Sequence, residues 1–277
     1  MESSLVSIVV PTKNSAGTLE KCLKSLATQT YGNLEIIVVD NSSTDSTQEI
    51  AARYTRNVYT KGPERSYQRN FAVTKARGRY VCIIDSDMDL ESKVVEQCVK
   101  LIEDSNGVVG VVIPEESYGE GFWAQCKKLE RSFYVGVPYM EATRFFYRKD
   151  FLDIGGYDVE MVSGEDWDLS QRIESRGKLA RTSAYIHHDE GHISLLKTIK
   201  KKLYYAKLFA SYTENSGSQE KVGKQTNLFG RYKLFFSHPK KLFHNPILGL
   251  GMLFMKTCEF GFGGIGYLMA KVHAKHK

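Results

Sequence analysis

The chain opens on short continuous apolar runs separated by segments whose apolar residues recur every three or four positions. Leu5-Val6-Ser7-Ile8-Val9-Val10 is the first run, and Pro11-Thr12-Lys13-Asn14 stops it. Leu19, Cys22, Leu23 and Leu26 follow at helical spacing and predict an amphipathic helix over residues 17–28. A second run, Leu34-Glu35-Ile36-Ile37-Val38-Val39, ends in Asp40-Asn41-Ser42-Ser43-Thr44-Asp45, and a helix begins at Ser46. The same reading gives a short strand at Asn57-Val58-Tyr59, helices over 67–76 and 93–103, and strands over 80–84 and 107–113. Strands alternating with helices across short links predict an α/β fold, a doubly wound, Rossmann-like, mostly parallel sheet.

Three of these strands end in polar groups, and an open parallel sheet gathers such ends along one ligand-binding crevice. They are Pro11-Thr12-Lys13-Asn14, Asp40, and the set Asp85, Asp87 and Asp89. An extended segment would put all three carboxylates of that last set on one face. Closely spaced carboxylates repel unless a cation sits among them, and hard oxygen donors suit Mg²⁺ or Mn²⁺. The same stretch also reads as a strand followed by the acidic start of a helix. Neither G-x-G-x-x-G nor G-x-x-x-x-G-K-[ST] occurs after the first strand, which disfavours Rossmann-type dinucleotide binding and P-loop chemistry.

The 277 residues carry a formal charge of +6, with acidic residues prominent before position 170 and Lys and Arg crowding the last third. Cys22, Cys82, Cys98, Cys126 and Cys258 lie far apart without a Cys-x-x-Cys pair, which argues against a zinc site and a disulfide scaffold and for a reducing compartment. The first strand begins within a few residues of Met1, and no signal peptide is recognised.

Five motifs in register resemble the family-2 glycosyltransferases, nucleotide-sugar-dependent enzymes of the GT-A fold. They are Val-Ser-Ile-Val-Val-Pro-Thr-Lys-Asn, Ile-Ile-Val-Val-Asp-Asn-Ser-Ser-Thr-Asp, Gln68-Arg69-Asn70 with Ala76-Arg77-Gly78-Arg79-Tyr80, Ile84-Asp85-Ser86-Asp87, and a distal pair. The distal pair is Phe151-Leu152-Asp153-Ile154-Gly155-Gly156-Tyr157-Asp158 and Gly164-Glu165-Asp166-Trp167-Asp168-Leu169-x-x-Arg172. The resemblance covers roughly residues 4–190 of the chain.

The resemblance implies that Pro11, Thr12, Asn14 and Asp40 frame the nucleobase and that Arg69 faces the nucleotide. Asp85, with Ser86 beside it, would touch ribose or base, and Asp87 would ligate Mn²⁺ or Mg²⁺. Asp89 stands where some relatives place a further ligand, and equally reads as a helix cap. His188 stands where some relatives use a histidine on the metal, and also reads as a structural residue. Asp166 matches the general base of an inverting transfer, with Glu165 orienting the acceptor; an N-cap for the following helix is compatible with both. Trp167 and Tyr157 are candidates for the acceptor side. The aromatic, Gly-containing stretch 118–139 suits a mobile acceptor-side segment.

Beyond Gly191 the pattern changes. Leu195, Leu196, Ile199, Leu203, Ala206 and Leu208 predict a basic amphipathic helix with lysines opposite, suited to an anionic membrane surface or to packing on a catalytic domain. A polar loop is expected over 211–227. Residues 246–270 are the most hydrophobic part, interrupted by Lys256 and Glu259, whose i, i+3 spacing lets them pair. That stretch is near bilayer-spanning length, but its charges and glycines favour an interfacial or re-entrant helical hairpin. The domains expected are therefore a catalytic domain at 1–190, a basic helix and loop at 191–228, and a helical membrane-associating segment at 229–277.

The resulting expectation is an inverting transferase at the cytoplasmic face of a membrane. It would move a sugar from a UDP- or GDP-linked donor to a hydroxyl of a lipid-linked saccharide. A polyprenyl phosphate acceptor is the alternative, but an ionised phosphate needs no base and Asp166 would then be idle. A non-catalytic nucleotide-sugar or glycan-binding module is a further alternative, and it too leaves Asp166 without a role. Nucleic-acid binding is disfavoured, because the lysines sit beside apolar segments rather than base-stacking motifs.

Overall fold

The computed structural model describes residues 3–161, 163–208 and 227–275, which pack as two units. The first holds residues 1–115, 141–159 and 166–189; the second holds 116–140, 160–165 and 190–277. The 116–140 insertion into the second unit has no counterpart in the contiguous division expected from the sequence.

Unit 1 is built on β1 (Val6–Thr12), α1 (Leu19–Ala27), β2 (Leu34–Asp40), α2 (Thr47–Ala52), β3 (Val58–Thr60), α3 (Arg65–Lys75), β4 (Tyr80–Ile83), β5 (Met88–Leu90), α4 (Val94–Asp104) and β6 (Val108–Val112). After the chain leaves for β7 (Glu115–Glu120) and α5 (Phe122–Ser132), it returns as β8 (Thr143–Tyr147), α6 (Arg148–Asp153), α7 (Glu165–Glu174), β9 (Lys178–Arg181) and β10 (Ile186–His192). Seven strands form one sheet in the order β3-β2-β1-β4-β8-β6-β9. Only β8 runs antiparallel to its neighbours β4 and β6, so the sheet is mostly parallel as expected.

Both faces of the sheet are covered, which is why its central strands read as unbroken apolar runs. Val6, Ile8 and Val10 pack with Leu19, Leu23 and Leu26 of α1 and with Val94 and Cys98 of α4. Val9, Ile37, Val81 and Ile83 turn the other way, onto Ala72 and Val73 of α3 and onto Phe146 and Phe151.

The acidic stretch departs from the extended segment expected. β4 stops at Ile83, and residues 85–88 make a turn closed by the Met88 N–H to the Asp85 carbonyl at 3.0 Å. β5 then pairs antiparallel with β10, setting His187 opposite Asp89 and His188 opposite Met88. A turn breaks the period of two, so the three carboxylates do not share a face.

Unit 2 contains α5, α8 (Leu195–Leu208), α9 (Leu228–Phe236), α10 (Pro239–Leu242) and α11 (Pro246–Lys275). Its apolar centre is Cys126, Phe133, Phe235, Leu242, Met252 and Met255. The stretch 118–139, expected to suit a mobile acceptor-side segment, contains α5, with Ala124, Cys126 and Glu130 buried. One expectation is corrected here. Residues 246–270 are not a hairpin, because α11 is one helix of 30 residues. Its glycines do not break it: a Cβ on Gly251 would lie 2.8 Å from Cys126 Sγ, so that glycine permits close packing against α5.

In α8, Leu195, Ile199 and Leu203 are half-buried while Leu196 is exposed among exposed lysines. The side chains of Ala206 and Leu208, and the loop expected over 211–227 as far as residue 226, fall outside the described residues. Among the described residues no helix is long and apolar enough to cross a membrane.

Candidate active site

Three consecutive residues of α3 organise the site. Gln68 Nε2 donates to the carbonyls of Thr12 (2.8 Å) and Val39 (2.6 Å), tying the helix to the ends of β1 and β2. Asn70 clasps the loop after α6: its Nδ2 donates to the Tyr157 carbonyl and its Oδ1 accepts from the Tyr157 N–H, each at 2.8 Å. Gly156 is required there, with φ at +69° and space too small for a Cβ, which would sit 2.6 Å from Asn70 Oδ1.

Between these anchors Arg69 is fully buried, 5.0 Å above the Tyr157 ring. Its Nη2 donates to Asp85 Oδ1 at 2.5 Å and its Nη1 to Asp166 Oδ1 at 2.9 Å. One guanidinium therefore joins the carboxylate after β4 to the carboxylate at the start of α7. Both acids remain partly open, their side chains 24% and 30% exposed.

Arg144, which the sequence reading did not single out, completes this charge set from β8. Its Nε donates to Glu115 Oε1 at 2.7 Å, and its Nη1 lies 3.6 Å from Asp85 Oδ2. Partial burial works against a charged Asp85, but Arg69, Arg144 and Arg65 outweigh it and hold that carboxyl well below the usual carboxylate range. Arg144 sits in Thr-Arg-Phe-Phe-Tyr, where a strand's alternation would set Arg144 with Phe146; a basic residue inside an otherwise apolar strand was the available signal.

Asp87 and His188 are brought together, with Nε2 3.3 Å from Asp87 Oδ2 and Nδ1 3.8 Å from Glu115 Oε2. Asp89 goes elsewhere: its Oδ1 takes Lys21 Nζ at 2.8 Å. Among the described residues no three His, Cys, Asp or Glu side chains form a ready metal cage. The Asp87 carboxylate, with His188 beside it, nevertheless fits a Mn²⁺ or Mg²⁺ site completed by substrate, since such ions commonly take one or two protein carboxylates plus phosphate oxygens.

The remaining expected residues frame this centre or lie in its walls. Asp40 is fully buried, and its oxygens already accept from Thr12 Oγ1, Ser43 N, Ser43 Oγ and Gln48 Nε2, so it shapes the turn after β2. Pro11 and Thr12 are buried, whereas Asn14 is exposed with φ +49°, its Oδ1 accepting from the Thr44 N–H at 2.9 Å. Ser86 Oγ donates to Ser15 Oγ at 2.8 Å. Tyr157 is buried beneath Arg69 and against Phe151, where its ring supports the guanidinium. Trp167 is half-buried on α7, and Glu165 is buried at that helix's first residue.

The family description "Glycosyl transferase family 2" matches residues 7–159, more than half of the chain. The chain belongs to glycosyl transferase family 2. This family-2 chain is 30% identical over 199 residues to the PGL/p-HBAD biosynthesis glycosyltransferase of Mycobacterium bovis (strain BCG / Pasteur 1173P2), covering 68% of the chain and 75% of the relative. It is 32% identical over 117 residues to glycosyltransferase GlyG of Streptococcus pneumoniae serotype 4, covering 39% of each.

Among solved structures it is similar to mannosyltransferase PcManGT from Pyrobaculum calidifontis, in complex with GDP-Man and Mn²⁺. There the TM-score is 0.64 at 16% identity, over 96% of this chain and 88% of that one. S. aureus TarS gives a TM-score of 0.56 at 22% identity, over 84% of this chain but 44% of that one. These likenesses establish the GT-A fold. The matched stretch spans 39% of the length of GlyG and 44% of that of the TarS chain. The family match stops at Val159, before Asp166 and His188.

Proposed function

We propose that the protein is an inverting glycosyltransferase that moves a sugar from a UDP- or GDP-linked donor to a hydroxyl of a lipid-linked saccharide at the cytoplasmic face of a membrane. The observation that carries this reading is the Arg69 bridge between Asp85 and Asp166. A purely nucleotide-binding module has no use for a second carboxylate held in register with the donor-side one.

In this reading Pro11, Thr12, Asn14 and the turn shaped by Asp40 border the base, and Asp85 meets ribose or base. Arg69 fixes the orientation of Asp85 and Asp166 together, so that donor and acceptor sides keep their spacing. Asp166 takes the proton from the attacking hydroxyl as the carbon–oxygen bond forms on the face opposite the departing diphosphate. A single displacement of that kind inverts the anomeric centre. Asp87 and His188 would hold Mn²⁺ or Mg²⁺, and the ion when bound supplies neutralisation of charge on the leaving diphosphate. Glu165 beside the base supports a role in the shape of the acceptor side.

Two solved neighbours support the donor class: PcManGT is in complex with GDP-Man and Mn²⁺, and S. aureus TarS 1-349 with UDP-GlcNAc. A hydroxyl rather than a phosphate acceptor follows from the need for a base. The test is release of UDP or GDP from a panel of nucleotide sugars, with and without a lipid-linked saccharide. Turnover that needs the acceptor and disappears in EDTA supports the reading. Donor binding with no turnover on any acceptor tried, and no effect of Asp166→Asn, would leave a binding module instead.

A further inference from the structure

Helix α11 is built inside out, and its two faces decide what can cover it. The face toward the rest of unit 2 carries Met252, Met255, Lys256 and Glu259, all buried. Lys256 Nζ donates to Glu130 Oε1 at 2.5 Å and to Glu259 Oε2 at 2.8 Å, so the helix's two interior charges are neutralised within the unit. The opposite face carries Ile247, Leu250, Phe254, Phe262, Ile265 and Met269, all exposed, the first three by 72%, 62% and 56%. At about 100° per residue these six fall within an arc of roughly 120°. They make one apolar stripe about 33 Å long at 1.5 Å per residue. Water-facing helices carry the reverse arrangement.

The charge around the stripe selects the partner. From Leu228 to the C-terminus the sequence has a single carboxylate, Glu259, and the structure turns it inward. The exposed charged residues of α9 and α10 are Lys233, Lys240 and Lys241. Exposed Phe229, Phe236 and Phe243 accompany them on the same segment. A long apolar stripe on a segment whose exposed charges, among the described residues from Leu228 on, are lysines alone matches an anionic bilayer surface, into which such a helix sinks its apolar face while lying flat. Crossing the bilayer is disfavoured, because no described helix is apolar and long enough.

We propose that the Ile247–Met269 face of α11 is a membrane-docking surface that lies in the headgroup–acyl boundary of an anionic bilayer, with Lys233 and Lys240 giving the preference for negative headgroups. This inference does not rest on the transferase reading, and its test needs no turnover.

The experiment floats the full chain with vesicles of three parts phosphatidylcholine to one part phosphatidylglycerol, and with pure phosphatidylcholine vesicles. Wild type should float with the anionic vesicles, and high salt should loosen it only in part, since apolar burial is not screened. Leu250→Ser/Phe254→Ser/Ile265→Ser should reduce vesicle binding by about tenfold or more while keeping the wild-type melting temperature, since these side chains are exposed. Lys233→Glu/Lys240→Glu, which leaves the stripe intact, should erase the preference for anionic over neutral vesicles. Wild type that stays unbound, or a serine variant that floats like wild type, would overturn the proposal. A glutamate variant that keeps the wild-type preference for anionic vesicles would overturn the choice of an anionic surface. A vesicle-free dimer that the serine variant dissociates would assign the stripe to a second copy of the chain.

Discussion

Each unit has a buried charge network, and the two differ in whether they are closed. In unit 2, Lys127, Glu130, Lys256 and Glu259 alternate in sign within 3.4 Å contacts, and Tyr134 Oη adds a 2.6 Å bond to Glu130. The two glutamates are 1–2% exposed. Burial disfavours their charge, yet Lys127 and Lys256 hold both carboxyls below the usual range. In unit 1 the basic partners Arg69 and Arg144 are buried, while Asp85 and Asp166 keep a quarter to a third of their side chains open. A closed network has spent its lone pairs on itself and fixes helices to one another. An open one holds its acids in place and leaves oxygen edges for something else. That difference, more than the presence of buried charge, is what makes the network of unit 1 the candidate site.

The largest effect should come from removing the base at the open network. Asp166→Asn should lower kcat by about 10²- to 10⁴-fold with nucleotide affinity nearly kept, because general-base catalysis is worth that much. Steady-state kinetics beside a nucleotide-binding titration separates the two. If affinity falls and kcat survives, Asp166 is a binding residue and the open network loses its catalytic half.

The closed network should answer in stability. Lys256→Met leaves Glu130 and Glu259 with Lys127 alone and should cost about 3–5 kcal/mol, the usual penalty for stranding a buried charge. The melting temperature should drop by several degrees. A variant as stable as wild type would show that the network is wetter than its burial implies.

Arg69→Lys probes the bridge itself. A lysine keeps the charge but replaces the guanidinium fork with a single ammonium, so it cannot hold Asp85 and Asp166 in the same register. Turnover should fall roughly tenfold or more while the fold is kept, because a misplaced group costs rate before it costs stability. Unchanged turnover would mean that the bridge is packing only.

The sequence disclosed the two kinds of region unequally. β1, β2 and β4 were legible because strands buried on both faces are written as unbroken apolar runs. β8 was not, because Arg144 interrupts its run and antiparallel insertion leaves no mark in a single strand. The pairing of Lys256 with Glu259 followed from their i, i+3 spacing, but their partners Lys127 and Glu130 lie more than a hundred residues away, and no local pattern reports them. The acidic cluster of Asp85, Asp87 and Asp89 was legible while its geometry was not. The spacing of two holds only if the backbone stays extended, and the turn at 85–88 sends the acids to Arg69, His188 and Lys21 in turn. The glycines of α11 misled in the opposite direction, since helix breakers in an isolated peptide are packing sites against a neighbour.

Acid pH should separate the networks again, by a smaller margin. Glu130 and Glu259 have folded-state pKa values below their unfolded ones, so the stability they contribute is present above the ordinary glutamate pKa of about 4.3 and is lost as pH falls below it. Melting temperature recorded from neutral to acid pH should fall on that side. Lys256→Met should flatten the acid limb, since it removes one of the charges that depress both carboxyls. An unchanged limb would assign the acid sensitivity to Asp85, Asp40 or other depressed carboxyls.

The smallest effect should be at Asp89, and it tests how finely the open network is drawn. Asp89 stood beside Asp87 as a possible metal ligand, but its oxygen pairs with Lys21, whose side chain is 58% exposed. With the lysine in water and Asp89 only partly buried, such a pair contributes between about 0 and 1 kcal/mol. Asp89→Asn should therefore shift the melting temperature by a degree or two and leave the dependence of turnover on added Mn²⁺ or Mg²⁺ as in wild type. Asp87→Asn is the contrast: its carboxylate meets His188 at 3.3 Å, and turnover should collapse across the metal titration. If both substitutions raise the metal requirement alike, the turn at 85–88 rearranges when donor and ion arrive together. Asp89 would then belong with the acids that the open network keeps available.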